Sequence, residues 1–196
     1  MAVKEEARKL TLRQREGRAV NAVAELLRRT LSVPNIYLEP PASLIPADIL
    51  AVDRGGAGDL HAVEIKLLDK APPPVSQSRT QPSPKEKFIS LSRERAHREM
   101  VKGVHSQLMS MPAHFRYLAI SSSSFDALQG DLSQLGLYAK DGIGRLGIIT
   151  IVENGAASPI AEIAVTPERF RVDPAKLKAI ETRLLAKSRP DIEVRI

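Results

Sequence analysis

Apolar residues recur at helical spacing over residues 11–31, and charged residues occupy the opposite side of the predicted helix. Positions three and four apart share one helix face, and the apolar ones here are Leu12, Ala19, Val20, Val23, Leu26, Leu27 and Leu31. Thr11 is a suitable N-cap residue, and Pro34 ends the segment. Glu16 falls on the apolar stripe, so the predicted helix carries one carboxylate on its packing side.

Three short apolar segments follow, and each is typical of a strand. The first covers residues 35–39 and stops at two prolines. The next two, residues 46–52 and 60–67, are separated by a glycine-rich turn. This spacing predicts a β-hairpin whose strands are largely buried.

Helical and strand patterns alternate through the rest of the chain. We predict a second helix over 86–111, a strand over 115–121, a loop at Ser121–Ser124, a helix over about 125–139, strands over 146–152 and 160–165, and a basic helix over 174–187. This order predicts a single α/β domain over residues 1–196, with a mixed central sheet and helices on both faces. Residues 69–85 contain five prolines and little apolar periodicity, which predicts a flexible loop.

The predicted hairpin carries charge where apolar residues are expected. Asp48 lies in the first of its strands, and Glu64 and Lys66 lie in the second. Residues i and i+2 of a strand project from the same face, so Glu64 and Lys66 share a face that Asp48 can reach if the strands pair. Buried charges require a partner or a metal. Two carboxylates beside a cation suit a divalent metal and a phosphate. The alternative is a structural pair of Glu64 with Lys66.

The acid on one strand and the acid-x-Lys on the next resemble the PD-(D/E)xK phosphodiesterase superfamily, the restriction-endonuclease-like nucleases. The resemblance covers roughly residues 12–152 and includes the family's α-β-β-β-α-β order. One position departs from the pattern, because Ala47 separates Pro46 from Asp48. The resemblance implies a three-layer restriction-endonuclease-like core.

The resemblance also implies a divalent-metal-dependent nuclease that hydrolyses phosphodiester bonds in DNA, with Mg²⁺ or Mn²⁺ as cofactor. Asp48, Glu64 and the main-chain carbonyl of Ile65 would be the metal ligands. Lys66 would act beside the scissile phosphate, either as a base or as an electrostatic clamp. A single site cuts one strand, so cleavage of a duplex would require a homodimer or a partner subunit.

Further residues enter the predicted site from the two helices. Glu16 corresponds to an upstream helix glutamate, and Gln107 to a polar residue that many members carry on the helix after the acid-x-Lys strand. Arg93, together with Lys85 and Lys87, is a candidate for phosphate contact. The alternative reading is a nuclease-fold nucleic-acid-binding or assembly subunit without catalytic activity.

Charge distribution favours a phosphate-rich partner. The net charge is +6, and two segments carry the excess: residues 1–30 hold eight Lys and Arg against four acids, and residues 70–102 hold eight against three. Such blocks attract nucleic acid, although basic residues can equally be solvated helix faces. The absence of Cys excludes disulfides, zinc–thiolate sites and cysteine nucleophiles. We expect a cytoplasmic protein, which the lack of Cys fits. No apolar run approaches the ~20 residues that span a bilayer.

Overall fold

A computed structural model describes residues 11–31, 33, 35–53, 58–67, 95, 99–100, 102–134, 143–153, 157–186 and 191–193 of the chain. The first helix, α1, spans Leu12–Thr30. Thr11 caps it as predicted: its hydroxyl accepts a hydrogen bond from the Gln14 N–H, while the Gln14 side chain accepts one from the Thr11 N–H at 2.9 Å. This reciprocal capping box satisfies two amides at the start of the helix.

The predicted strands are present in the order the sequence indicates. They are β1 at Asn35–Leu38, β2 at Ile49–Val52, β3 at Leu60–Lys66, β4 at Phe115–Ser121, β6 at Gly147–Val152 and β7 at Ile160–Pro167. Two short strands that the sequence did not predict complete the set, β5 at Ile143–Gly144 and β8 at Ile192–Glu193. Residues 102–110 are helical and are labelled α2. They confirm part of the helix predicted over 86–111, most of whose first half lies outside the described residues, as does the predicted loop at 69–85.

The strands form one mixed sheet in the order β5-β7-β6-β4-β3-β2-β1-β8. β2 and β3 pair antiparallel with Ile49 opposite Val63, which confirms the predicted hairpin. β3 then runs parallel to β4, and β4 runs parallel to β6. The chain from α1 to β4 therefore follows the order helix, three strands, helix, strand.

Alternation along the strands separates the core into two layers. One sheet face packs against α1 through Ala19, Val23, Ala24 and Leu27. The other face packs against α2 and against two helices at Ser122–Gln134 and Pro174–Ala186. The residues that pack there include Val104, Leu108, Leu128, Leu132, Ile180 and Leu184. The protein is thus an α/β structure with helices on both faces of the sheet.

The predicted loop at Ser121–Ser124 is wrong, because helix α3 begins there and spans Ser122–Gln134. The Ser121 hydroxyl accepts a hydrogen bond from the Ser124 N–H at 3.2 Å, which is the bond an N-cap makes to the third helical residue. Serine is a preferred N-cap, so this run begins a helix. Residues 135–139 of the predicted helix lie outside the described residues.

The basic C-terminal helix is confirmed as α4, at Pro174–Ala186. Pro174 occupies its first position, where proline is favoured, and the Asp173 carboxylate accepts a hydrogen bond from the Ala175 N–H at 2.8 Å. Within the described part of the chain, no helix is both long and apolar enough to cross a membrane.

Candidate active site

Asp48 lies just before β2, beside the end of β3. Its main-chain N–H donates to the Val63 carbonyl at 3.0 Å. Its side-chain Oδ2 accepts a hydrogen bond from the Ile65 N–H at 2.6 Å. The carboxylate is thereby held against the residue that separates Glu64 from Lys66, and Oδ1 is not used in that bond.

Glu64 and Lys66 are in direct contact on the neighbouring strand. The Lys66 ammonium donates to Glu64 Oε1 at 2.5 Å. The side chain of Glu64 is 6% exposed and that of Lys66 is 36% exposed. The pair therefore connects the interior to the surface, with the carboxylate inside and the cation at the edge.

Gln107 of α2 links this pair to the segment that precedes β2. Its Nε2 donates to Glu64 Oε2 at 3.0 Å and to the Pro46 carbonyl at 2.7 Å. Both oxygens of Glu64 therefore have a donor, and the segment leading to Asp48 is anchored to the same amide group. The structure thus brings together four of the residues predicted from the sequence: Asp48, Glu64, Lys66 and Gln107.

Electrostatics at Glu64 are dominated by its burial. Desolvation raises the pKa of its carboxyl, and the nearby charge of Asp48 raises it further. The hydrogen bond from Lys66, its positive charge and the hydrogen bond from Gln107 oppose this effect without cancelling it. A cation bound beside Glu64 would favour the ionised form of its carboxyl.

A cavity of about 970 Å³ opens beside these groups. It lies between α1 and the strand ends, and its lining includes Glu16, Asp48, Ile65 and Lys66. Glu16 is solvent-exposed, so it does not lie on the packing side of α1 as predicted, but it lines the same cavity as Asp48. Glu16, Asp48, Ile65 and Lys66 thus share one open space, whereas Glu64 and Gln107 are not among the residues that line it.

Two acidic residues that the sequence did not single out also line the cavity. Glu39 follows β1 with a positive φ of 45°, and its N–H donates to the Asp48 carbonyl at 2.8 Å. Asp191 precedes β8, and its Oδ2 accepts a hydrogen bond from the Leu38 N–H at 2.8 Å. Pairing of β8 with β1 brings Asp191 here, a long-range contact that no local pattern encodes.

The lining is acidic overall. Its charged members are Arg13, Glu16, Glu39, Asp48, Lys66 and Asp191, so the two cations are outnumbered by four carboxylates. An anionic phosphodiester entering such a cavity would be repelled unless a cation were bound as well.

The donor set suits Mg²⁺ or Mn²⁺ in chemical type. Asp48 and Glu64 supply hard carboxylate oxygens, and the carbonyl of Ile65 is the third predicted ligand. Among the described residues, no group of three or more His, Cys, Asp and Glu side chains is arranged to hold a metal. A cation here would therefore retain several waters or phosphate oxygens, as Mg²⁺ commonly does.

Arg93, Lys85 and Lys87 are outside the described residues, so the predicted phosphate contacts of that segment stay predictions. His61, near the start of β3, stacks on Phe115 with ring centroids 4.7 Å apart. Burial lowers the pKa of His61 to about 4, so it is neutral at physiological pH.

A polar cluster surrounds Asp59, which immediately precedes β3. Arg169 donates to Asp59 Oδ1 at 2.7 Å, and His114 Nδ1 lies 3.5 Å from the same oxygen. The hydrogen bond from Arg169 holds the pKa of Asp59 below its ordinary value. This cluster joins the segment after β7 to the beginning of β3, at the other end of the strand from Lys66.

Comparison with known proteins adds little to this geometry. No protein-family model matches the chain, and no curated protein shows a significant match. Among solved structures, it is similar to a protein of unknown function from Silicibacter pomeroyi, with 15% sequence identity and a TM-score of 0.44. The match covers 88% of this chain and 84% of that one. The function of this chain is therefore inferred from the site itself.

Proposed function

We propose that the protein is a divalent-metal-dependent nuclease that hydrolyses phosphodiester bonds in DNA. The observation that carries the proposal is the placement of Asp48, Glu64 and Lys66: Asp48 and Lys66 line one cavity, and Glu64 is hydrogen-bonded to Lys66. An acid from one strand and an acid and a lysine from the next are joined there by a hydrogen-bonded network. Asp48 is distant in sequence from Glu64 and Lys66, and the pairing of β2 with β3 brings the three residues together.

The order of elements supports the same proposal. From α1 to β4 the chain follows the α-β-β-β-α-β order of the restriction-endonuclease-like core. Glu16 on the first helix and Gln107 on the second face the hairpin that carries Asp48 and Glu64. We therefore propose the three-layer nuclease core as the specific version of this α/β fold.

Asp48, Glu64 and the Ile65 carbonyl are the proposed holders of the cation. When bound, Mg²⁺ or Mn²⁺ would neutralise phosphate charge and lower the pKa of a coordinated water. Gln107 keeps Glu64 in place by holding the second carboxylate oxygen. The Ile65 N–H does the same for Asp48, so both acids are oriented before any ligand arrives.

Lys66 is the group that the chain itself contributes beside the phosphate. Its ammonium lies at the cavity wall and is 36% exposed, so a ligand can reach it. A fixed positive charge there stabilises the negative charge that develops on phosphate oxygens during hydrolysis. Its contact with Glu64 limits the positions that the ammonium can adopt.

A second candidate function is supported by the same network. Both oxygens of Glu64 have donors within the chain, so the pair with Lys66 is satisfied without any ligand. A nuclease-fold subunit that binds nucleic acid without cutting it would have the same closed pair. The two functions differ in whether binding leads to metal-dependent cleavage.

The decisive experiment compares the wild type with Lys66→Ala. Linear, nicked, branched and single-stranded DNA, and RNA, are incubated with each protein with and without Mg²⁺ or Mn²⁺. We expect metal-dependent cleavage of DNA by the wild type and a loss of at least about 100-fold in Lys66→Ala. Affinity for DNA should change little, because many other basic residues supply the general electrostatic attraction.

The matched control is Lys102→Ala, which removes one exposed ammonium from α2, where Lys102 contacts Glu99 at 3.4 Å. It should cleave at the wild-type rate. DNA binding without cleavage under all metal conditions would select the binding subunit. Cleavage by Lys66→Ala at the wild-type rate would refute the proposed role of the lysine, and a lowered melting temperature in that variant would identify a structural pair.

A further inference from the structure

Gly17 is an unusual residue for the interior of a helix. It lies in the second turn of α1, on the wall of the cavity that contains Asp48 and Lys66. Glycine destabilises a helix interior relative to alanine, because it loses more backbone freedom on folding. Gly130 in the interior of α3 has the same cost, so what distinguishes Gly17 is its position on the cavity wall, where another group can approach the helix closely.

Packing within the described part of the chain does not require glycine at position 17. A Cβ built at Gly17 meets no atom within 4 Å in the part of the chain that the structure describes. Its φ is not in the left-handed region where glycine is favoured; among the described glycines, only Gly58 has that conformation. The space above Gly17 is therefore open toward the cavity, and alanine would fit the helix without a clash.

The neighbours of Gly17 along α1 can contact an extended nucleic-acid strand once a bound cation offsets the carboxylates of the cavity, which include the adjacent Glu16. Arg13 and Asn21 lie one turn to either side of it on the same helix stripe, and both line the cavity. The cavity-lining part of α1, from Leu12 to Asn21, is roughly 14 Å long at 1.5 Å per residue.

We propose that this stripe is a substrate subsite, which holds the sugar–phosphate backbone next to the bond that is cleaved. Arg13 contacts a phosphate, Asn21 supplies polar contacts, and Gly17 lets the backbone approach the helix closely. The subsite rests on the proposed nuclease function and adds the surface that positions the strand. The proposed ligand is a nucleic-acid strand that runs along α1.

The test uses substitutions whose effects on stability and on binding have opposite signs. Gly17→Ala and Gly17→Gln introduce better helix formers and fill the open space to different extents. Gly130→Ala and Gly130→Gln are the matched controls, because Gly130 lies inside α3 and a Cβ there also meets no described atom within 4 Å. Thermal melting, affinity for a short labelled DNA duplex and cleavage rate are measured for all four variants.

We expect each alanine variant to melt about 2–4 °C higher than the wild type, as better helix formation predicts. Gly17→Ala should nevertheless bind DNA about tenfold more weakly, and Gly17→Gln should lose more. Both Gly130 variants should bind and cleave like the wild type. Equal affinity and cleavage in the Gly17 and Gly130 variants would overturn the proposal.

Arg13→Gln provides a separate readout. Loss of one phosphate contact should reduce the slope of log affinity against log salt by about 0.9. An unchanged slope would refute the contact. These outcomes are distinct from failure of the nuclease proposal, in which the wild type lacks metal-dependent cleavage. A wild type that binds without cutting still tests the subsite through affinity, and one that neither binds nor cuts overturns it.

Discussion

Gln107 joins the two halves of the candidate site, so its removal should have a measurable signature. Gln107→Leu keeps a side chain of similar size on α2 and removes the amide group. Two hydrogen bonds are lost, one to Glu64 Oε2 at 3.0 Å and one to the Pro46 carbonyl at 2.7 Å. Glu64 is then left with Lys66 as its side-chain donor.

The size of the effect follows from the types of bond. A neutral hydrogen bond contributes about 0.5–1.5 kcal/mol and one to a charged group about 1.5–3 kcal/mol. Gln107 is half-buried, so water can replace part of what is lost. We therefore expect a loss of about 1–3 kcal/mol in the free energy of unfolding, which lowers the melting temperature by roughly 2–12 °C.

The pH dependence of cleavage gives the more specific signal. The hydrogen bond from Gln107 favours the ionised form of Glu64 and lowers its pKa, against the larger effect of burial. Its removal should raise the pKa of Glu64 further. If cation binding requires ionised Glu64, the acidic limb of the rate profile moves to higher pH, and activity at alkaline pH is affected less.

The assay measures cleavage rates from about pH 5 to pH 9 at saturating Mg²⁺, with thermal melting of the same samples. Ser106→Ala, at an exposed position beside Gln107 on α2, is the control and should leave the profile unchanged. A uniform fall in rate with no displacement of the acidic limb would refute the link between Gln107 and Glu64.

Two further predictions concern stability. Glu64→Gln should abolish cleavage yet raise the melting temperature at neutral pH. The folded-state pKa of Glu64 lies above its ordinary value of 4.5, so ionisation of Glu64 destabilises the fold as pH rises from that value through the folded-state pKa. A lower melting temperature in Glu64→Gln at neutral pH would contradict this. Arg169→Ala should lower the melting temperature at pH 7, and the difference should disappear as pH falls through the lowered pKa of Asp59, because the pair contributes only while Asp59 is ionised. A difference that is independent of pH would exclude the ion pair as its cause.

Local patterns were sufficient for the framework of the site. Capping chemistry located the start of α1 at Thr11, and the period of two in β3 predicted that Glu64 and Lys66 share a face, as their contact confirms. The turn between two apolar segments predicted the pairing that places Asp48 beside Ile65. Each of these inferences depends on residues within about one hairpin or one helix turn of each other.

Contacts between distant segments were beyond the reach of such patterns. Asp191 lines the cavity because β8 pairs with β1, at the opposite end of the sequence. Glu39 lines the cavity because the chain turns sharply after β1. Its positive φ of 45° is a conformation that its sequence does not predict. The serine run at Ser121–Ser124 was ambiguous for another reason, since serine favours both loops and helix N-caps.

The unfavourable electrostatics of Glu64 bear on the function of the site. A buried ion pair is weak evidence for stability, because apolar replacements of similar volume are often equally or more stable. Here Asp48 lies close enough to raise the pKa of Glu64, and three further carboxylates line the adjoining cavity. A purely structural pair would gain nothing from this accumulation of like charge. Binding of a cation would offset the effect of Asp48 on Glu64, which supports the proposed metal-dependent nuclease over the structural pair.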